Sequence, residues 1–423
     1  MAVAERLSLG RLAEFRDLQT VILGLLAAFI AVDLIAKLAG FGLFVGPVKL
    51  LGGGLDVERL FGLVWDGIVV GLAIGLAGIG LSMTYSILSF ANFAHGDYIT
   101  SGAFAGWAVA WTVAGLTDGS VDAGIGYLLS VGYGDGPSAG DLGINVLGQP
   151  LAILLGLVVA ILATVALVLL VDRIVFEPMR DQGGISLLIA SIGVALALRY
   201  TVVFLFGPRK RGLTAGGEKL ILGGANGQLV LVDSRGTLIQ AQNGQDVGNA
   251  FFYKLPLPQL GDYSKEVISV TSAEVTLVVM AALLMYALHL MLQRTKLGKA
   301  MRAMADNEDL AKVTGIPARR VVLATWVIGG GMAGAAGYLI ALERGTVGFN
   351  LGWLLLLLIF AAVILGGIGS IYGAMAGGVV IGLTQSVSLV WIPSSFATAA
   401  AFAIMILMLL VRPEGLFGGV TTA

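Results

Sequence analysis

Few residues in this chain could carry chemistry, and they fall in two short stretches. The first is Gln293–Arg320, QRTKLGKAMRAMADNEDLAKVTGIPARR, which sets seven Lys and Arg around the acids Asp306, Glu308 and Asp309. The second is Ser89–Tyr98, where Asn92, His95 and Asp97 gather beside an apolar run, with Gly96 permitting a turn or a helix break. Neither has the make-up of a catalytic centre. The chain has no cysteine, which excludes disulfides, thiolate metal sites and a cysteine nucleophile. Its two histidines, His95 and His289, are far apart in sequence, which argues against a metal centre. The phosphate-cradling pattern G-x-x-x-x-G-K-[ST] is missing too: Gly298-Lys299 is followed by Ala300 and lacks the upstream glycine.

The surroundings of both stretches are membrane. Of 423 residues 57% are hydrophobic and 12% charged, a balance that belongs to a polytopic membrane protein. A net charge of -1 and the lack of a basic tail argue against a nucleic-acid partner. Apolar runs long enough to span occur near 19–45, 60–88, 96–115, 150–171, 184–206, 270–292, 321–342, 351–368, 371–391 and 396–411. The expectation is an all-α polytopic bundle of eight to ten transmembrane helices with a long outer loop. The Gly-rich runs 96–115 and 351–391 leave room for one broken or re-entrant span. Gly67, Gly71 and Gly75 repeat every fourth residue, as do Gly369, Gly373 and Gly377, which predicts two small-residue ridges for close helix packing.

Charge sets the expected orientation. Positive residues flanking a span resist translocation, so the basic loop 293–320 is read as cytoplasmic, together with Arg6, Arg11, Arg16, Arg173, Arg180 and Arg412. Ten spans then place both termini inside, and the first apolar run reads as a retained anchor rather than a cleaved signal. Leu116–Gln149 carries four Asp and no Lys or Arg, as an outer loop should. Gly207–Ser269 has seven Lys and Arg, but at its length the rule loses force and the loop is kept outside. Its run LVLVDSRGTLIQAQ predicts a β-hairpin.

Inside the basic loop, Asn307 followed by Glu308 and Asp309 predicts a helix start, with a capping side chain and acids at the positive end of the dipole. Glu308 and Lys312 stand four apart in the favourable order. Gly315 predicts a left-handed stop and Pro317 bars resumption. The small residues Ala303, Ala305 and Ala311 leave room for another protein to pack closely. The segment Ala303–Ile316, AMADNEDLAKVTGI, resembles the cytoplasmic coupling loop of ABC-importer permeases, and specifically that of the branched-chain amino acid permeases. SMTYSILSFANFAHGDYITSGAF, Ser82–Phe104, resembles the N-F-A-H-G-[DE] segment of the H-type subunit in those systems. FEPMRDQGGISLLIASIGVALAL and AAVILGGIGSIYGAMAGGVVIGL are further matches, in family order.

The resemblance implies a permease domain over 60–412, with a coupling loop at 293–320 and an outer-loop insertion at 207–269. It is preceded by an extension, 1–59, with an extra transmembrane helix, and followed by a tail, 413–423. It also implies a cell-membrane subunit that imports branched-chain amino acids, pairs with a second homologous permease and receives substrate from an extracytoplasmic binding protein. Two ATP-binding cassette subunits would bind ATP and Mg, with no cofactor in this chain, and dock on Ala303, Ala305, Asp306, Asn307, Glu308, Asp309 and Gly315. Asn92, His95 and Asp97 are candidates for the translocation path, against the plainer reading of a satisfied cap network. Relatives in the family carry urea, short amides or other amino acids. An ion-coupled secondary transporter is the rival of another class, but ionisable residues within the spans are scarce.

Overall fold

The computed structural model describes residues 24–26, 28–45, 48–118, 142–214, 219–223, 228–232, 252–254 and 266–417. Within these, the apolar runs become helices. They are α1 (residues 28–38), α2 (Val57–Leu88), α3 (His95–Asp118), α4 (Pro150–Val171), α5 (Gly184–Phe206), α6 (Ser272–Arg294), α7 (Lys296–Asp306), α8 (Glu308–Val313), α9 (Ala318–Glu343), α10 (Leu351–Gly366), α11 (Ile371–Val387) and α12 (Ala397–Val411). Among the described residues eight helices are long and apolar enough to cross a membrane. The shorter apolar helix α10 has 16 residues, about 24 Å at a rise of about 1.5 Å, less than the roughly 30 Å hydrocarbon core. The expectation of an all-α membrane bundle therefore holds. Of the expected first span, 19–45, the described part is helical over 28–38 and then turns into a hairpin of β1 (Gly42–Val45) with β2 (Val48–Gly52). Arg6, Arg11 and Arg16 lie outside the described residues, as do Asp122, Asp135 and Asp141 of the expected acidic outer loop.

Glycine decides how the centre packs. Gly67, Gly71 and Gly75 of α2 lie against Leu383, Val379 and Met375 of α11, and the opposite sense of these numbers makes the two helices antiparallel. Gly378 and Gly382 close the seam from the other side, so close that a Cβ on Gly378 would stand 2.4 Å from the backbone nitrogen of Gly75. The second expected ridge is placed differently. Gly373 and Gly377 pack on Gly366 and Ala362 of α10, while Gly369 lies in the turn before α11 with φ +86. Both faces of α11 are small, so a repeat of four marks a ridge without saying which neighbour it serves.

Buried α9 lies at the middle of the bundle, packed on α2, α3 and α4. At the end away from the basic loop it is tied to α5 by a two-residue ladder, β3 (Arg211–Gly212) with β8 (Thr346–Val347). The Trp107 and Trp111 indoles both donate to the Gly212 carbonyl, at 2.8 and 2.9 Å. In the expected outer loop, β4 (Lys219–Gly223), β5 (Gln228–Val232), β6 (Phe252–Lys254) and β7 (Glu266–Thr271) form an antiparallel sheet in the order β6-β5-β4-β7. Of the run expected to form a hairpin, Leu229–Val232 is a strand and pairs with the earlier strand β4. The rest of LVLVDSRGTLIQAQ lies outside the described residues.

Candidate functional site

Helix α2 ends where Ser89 adopts a left-handed conformation (φ 54), and the chain turns back into the bundle before α3 begins at His95. Side chains hold that non-helical stretch in place. Asn92 Oδ1 accepts from the Ala94 amide at 3.1 Å, and the His95 Nε2 lies 2.8 Å from the Ala77 carbonyl, well inside α2. Ser191 of α5 accepts from the Phe93 amide at 3.0 Å, while Phe93 rests on Phe360 of α10. Asn92, His95 and Asp97 are all buried. Backbone off the helix ladder is tolerated at membrane depth where protein encloses it, which is the case here.

Asp97 has a partner the sequence reading did not assign. Arg199 of α5 donates to it with two nitrogens, Nε to Oδ1 at 3.1 Å and Nη2 to Oδ2 at 3.0 Å, and its guanidinium lies 4.3 Å from the centre of the Trp353 ring. Opposite charges within one bundle and an aromatic face together satisfy a residue that would otherwise be costly in hydrocarbon. The clue available beforehand was scarcity, since two unlike charges within apolar runs have few other choices.

The basic loop folds into two helices, α7 and α8. Thr295 caps α7 by accepting from the Gly298 amide at 3.0 Å, and Met301 and Met304 turn one face of α7 into the protein. This helix was not read from sequence, though the threonine cap and the methionine spacing were there to read. Asn307 caps α8 by accepting from the Leu310 amide at 2.9 Å, and Glu308 pairs with Lys312 at 2.8 Å. That hydrogen bond and the attraction of Glu308 raise the Lys312 pKa above its ordinary value, so Lys312 keeps its charge throughout the physiological range. Gly315 takes φ +86, as a left-handed stop requires.

Exposure divides the expected docking residues. Asp306, Asn307, Glu308, Asp309 and Gly315 are exposed, Ala303 and Ala305 are half-buried, and Ala311 faces inward at 3% exposure. The room foreseen at Ala311 is therefore filled by the chain itself. In its place α8 presents Leu310 and Val313, 62% and 85% exposed, two large apolar side chains the sequence reading passed over.

The comparisons with known proteins agree on one family. A family model described as "Branched-chain amino acid transport system / permease component" matches residues 63–411. The chain is 27% identical over 356 residues to the high-affinity branched-chain amino acid transport system permease protein LivH of Escherichia coli (strain K12), covering 84% of this chain and 94% of that protein. The corresponding permease protein BraD of Pseudomonas aeruginosa is 25% identical over 353 residues, with 84% and 94% covered. A probable branched-chain amino acid transport permease protein LivH of Methanocaldococcus jannaschii is 37% identical over 143 residues, 32% of this chain and 45% of that protein. No solved structure matches with significance.

Proposed function

The chain belongs to the family of branched-chain amino acid transport permease components, and from that premise we propose that it is the membrane-spanning subunit of an ATP-driven importer moving branched-chain amino acids inward. The observation that carries this reading is the match through residues 63–411, which runs from α2 to the end of α12. Two others support it. The sequence lacks a phosphate-cradling loop, so energy enters through partner ATPase subunits that hold ATP and Mg. And α8 offers Leu310 and Val313 beside an exposed acidic start, an apolar knob with a charged rim of the kind a partner can seat.

In the proposed assembly two ATPases sit under the coupling loops of this chain and a second permease, and a binding protein delivers substrate at the other end. The loop 293–320 and both termini are then cytoplasmic. Leu310→Asp with Val313→Asp is expected to abolish co-purification with the ATPase and leucine-stimulated hydrolysis, leaving insertion and thermal stability intact because both side chains are exposed. A cysteine at Lys312, labelled only after the membrane is opened, checks the orientation. ATP-independent uptake in proteoliposomes would overturn the reading in favour of a secondary transporter or a channel.

For the buried segment the bonds to Ala94 and Ala77 favour a holding role over a path-lining one. His95→Leu is expected to lower stability by about 1–3 kcal/mol, the cost of an abandoned buried polar contact, and to leave uptake per assembled transporter unchanged. Loss of uptake at full assembly would return His95 to the path.

A further inference from the structure

Helix α6 ends at Arg294, and one residue later the chain leaves its axis. With 23 residues α6 is about 35 Å long at a rise of about 1.5 Å, enough to cross a hydrocarbon core of roughly 30 Å, so Arg294 stands at the membrane boundary. Thr295 is extended (φ -101, ψ 157), and α7 then folds back on the helix it follows. A Cβ on Gly298 would lie 2.4 Å from the Leu292 carbonyl oxygen and 2.5 Å from its Cα, whereas a straight helix sets residues six positions apart about 9 Å from each other. Arg302 holds the next turn to the same end of α6, donating from Nη1 to Gln293 Oε1 at 3.0 Å. Helix α7 therefore lies across the end of α6, with Met301 and Met304 buried, instead of reaching out into water.

The charges of the loop are sorted along this path. Arg294, Lys296 and Lys299 gather at the junction, all exposed. The acids stand beyond it: Asp306 ends α7, and Glu308 and Asp309 open α8, where Glu308 is paired with Lys312. Among the described residues none of the Arg294, Lys296 and Lys299 side chains has a hydrogen bond or ion pair. Leu297, next to Lys296, is an exposed apolar residue. Three free cations and an apolar side chain held at the height of the headgroups complement a surface of phosphate and acyl chain, since a basic cluster just beyond a span is drawn to anionic lipid. Orientation needs only positive charge somewhere in the loop; the fold-back that keeps these three at the boundary goes further.

We propose that the junction of α6 and α7 is a binding surface for anionic phospholipid of the inner leaflet, with Arg294, Lys296 and Lys299 engaging the phosphate groups and Leu297 meeting the acyl boundary. The proposal rests on the importer reading for the side of the membrane alone, which the cysteine at Lys312 tests separately.

The test uses the assembled transporter, ATPases included, in nanodiscs of phosphatidylcholine mixed with phosphatidylglycerol, one of the two lipids carrying bromine on its acyl chains. The chain has no native cysteine, so Leu297→Cys takes a single fluorophore, and Val279→Cys, exposed on α6 and well before its end, serves as the reference. At Leu297→Cys brominated phosphatidylglycerol is expected to quench more strongly than brominated phosphatidylcholine at the same mole fraction, while at Val279→Cys the two are expected to quench alike. Adding Lys296→Gln and Lys299→Gln should remove the preference, since each charge near the surface is worth about fivefold in local anionic lipid. Both lysines are exposed, so the packing of the bundle is untouched. Raising the salt to about 1 M, which shortens the screening length to about 3 Å, should remove it as well. Equal quenching by the two lipids at Leu297→Cys overturns the proposal, as does a preference that survives the double substitution. A preference that emerges only once the ATPases are stripped from the membrane also overturns it, and gives the two lysines to the ATPase surface instead.

Discussion

Asp97→Asn and Arg199→Leu, made singly, are expected to be the most damaging small changes in this chain, each lowering stability by about 3–5 kcal/mol. The reason is the environment of the pair. The Asp97 side chain is 1% exposed and that of Arg199 11%, so removing either partner leaves a charge with neither water nor counter-ion. A fork of two hydrogen bonds is lost, and α5 loses its main polar tie to α3 while its outward residues, such as Ile185 and Phe204, have no protein to hold them. The double variant Asp97→Leu with Arg199→Leu is expected to recover most of the loss, because an apolar pair of similar bulk avoids the desolvation of both charges. Thermal unfolding of purified wild type, single and double variants checks this. Losses that simply add in the double variant would show that the two side chains do not act as a pair.

How much of this was legible beforehand follows the range of each interaction. The spans are written in continuous apolar runs, and α8 in a few consecutive residues: Asn307 as cap, Glu308 with Lys312, Gly315 as stop. All act within one or two turns, so sequence is enough. The Asp97–Arg199 fork joins residues 102 positions apart, and His95 meets Ala77 across a chain reversal, which no local pattern encodes. The fold-back of α7 is less legible still. It rests on Gly298 meeting the Leu292 backbone, and the same residues read equally well as a helix running on into water, so only the fold places Lys296 and Lys299 at the boundary. Exposure was misjudged for a related reason. Ala311 and Leu310 are neighbours on one short helix, and which of them faces outward depends on how α7 and α9 lie against it.

The glycine seam supplies the second large effect, and its sign depends on position rather than on residue type. Gly378→Ala and Gly382→Ala are each expected to destabilise the bundle by about 1–3 kcal/mol or more, the usual range for overpacking. At Gly378 a Cβ would meet Gly75 nitrogen, Gly75 Cα and Gly71 oxygen at 2.4, 2.5 and 2.7 Å. At Gly382 it would meet Gly67 oxygen, Gly71 nitrogen and Gly71 Cα at 2.4, 2.4 and 2.5 Å. Every one of these atoms is backbone, so no side chain can swing aside and α11 must move off α2. Gly78, on the same helix α2, has as its nearest atoms the Val363 methyl at 3.4 Å and the Ala374 Cβ at 3.6 Å, which is ordinary contact. There alanine removes the entropy penalty of a mid-helix glycine, and Gly78→Ala is expected to be neutral or to stabilise by about 0.5–1 kcal/mol. Comparing the unfolding temperatures of the three variants decides whether α2 and α11 are held at backbone contact. Equal, small effects at all three positions would mean that the two helices stand further apart and that the small-residue ridge does not set their spacing.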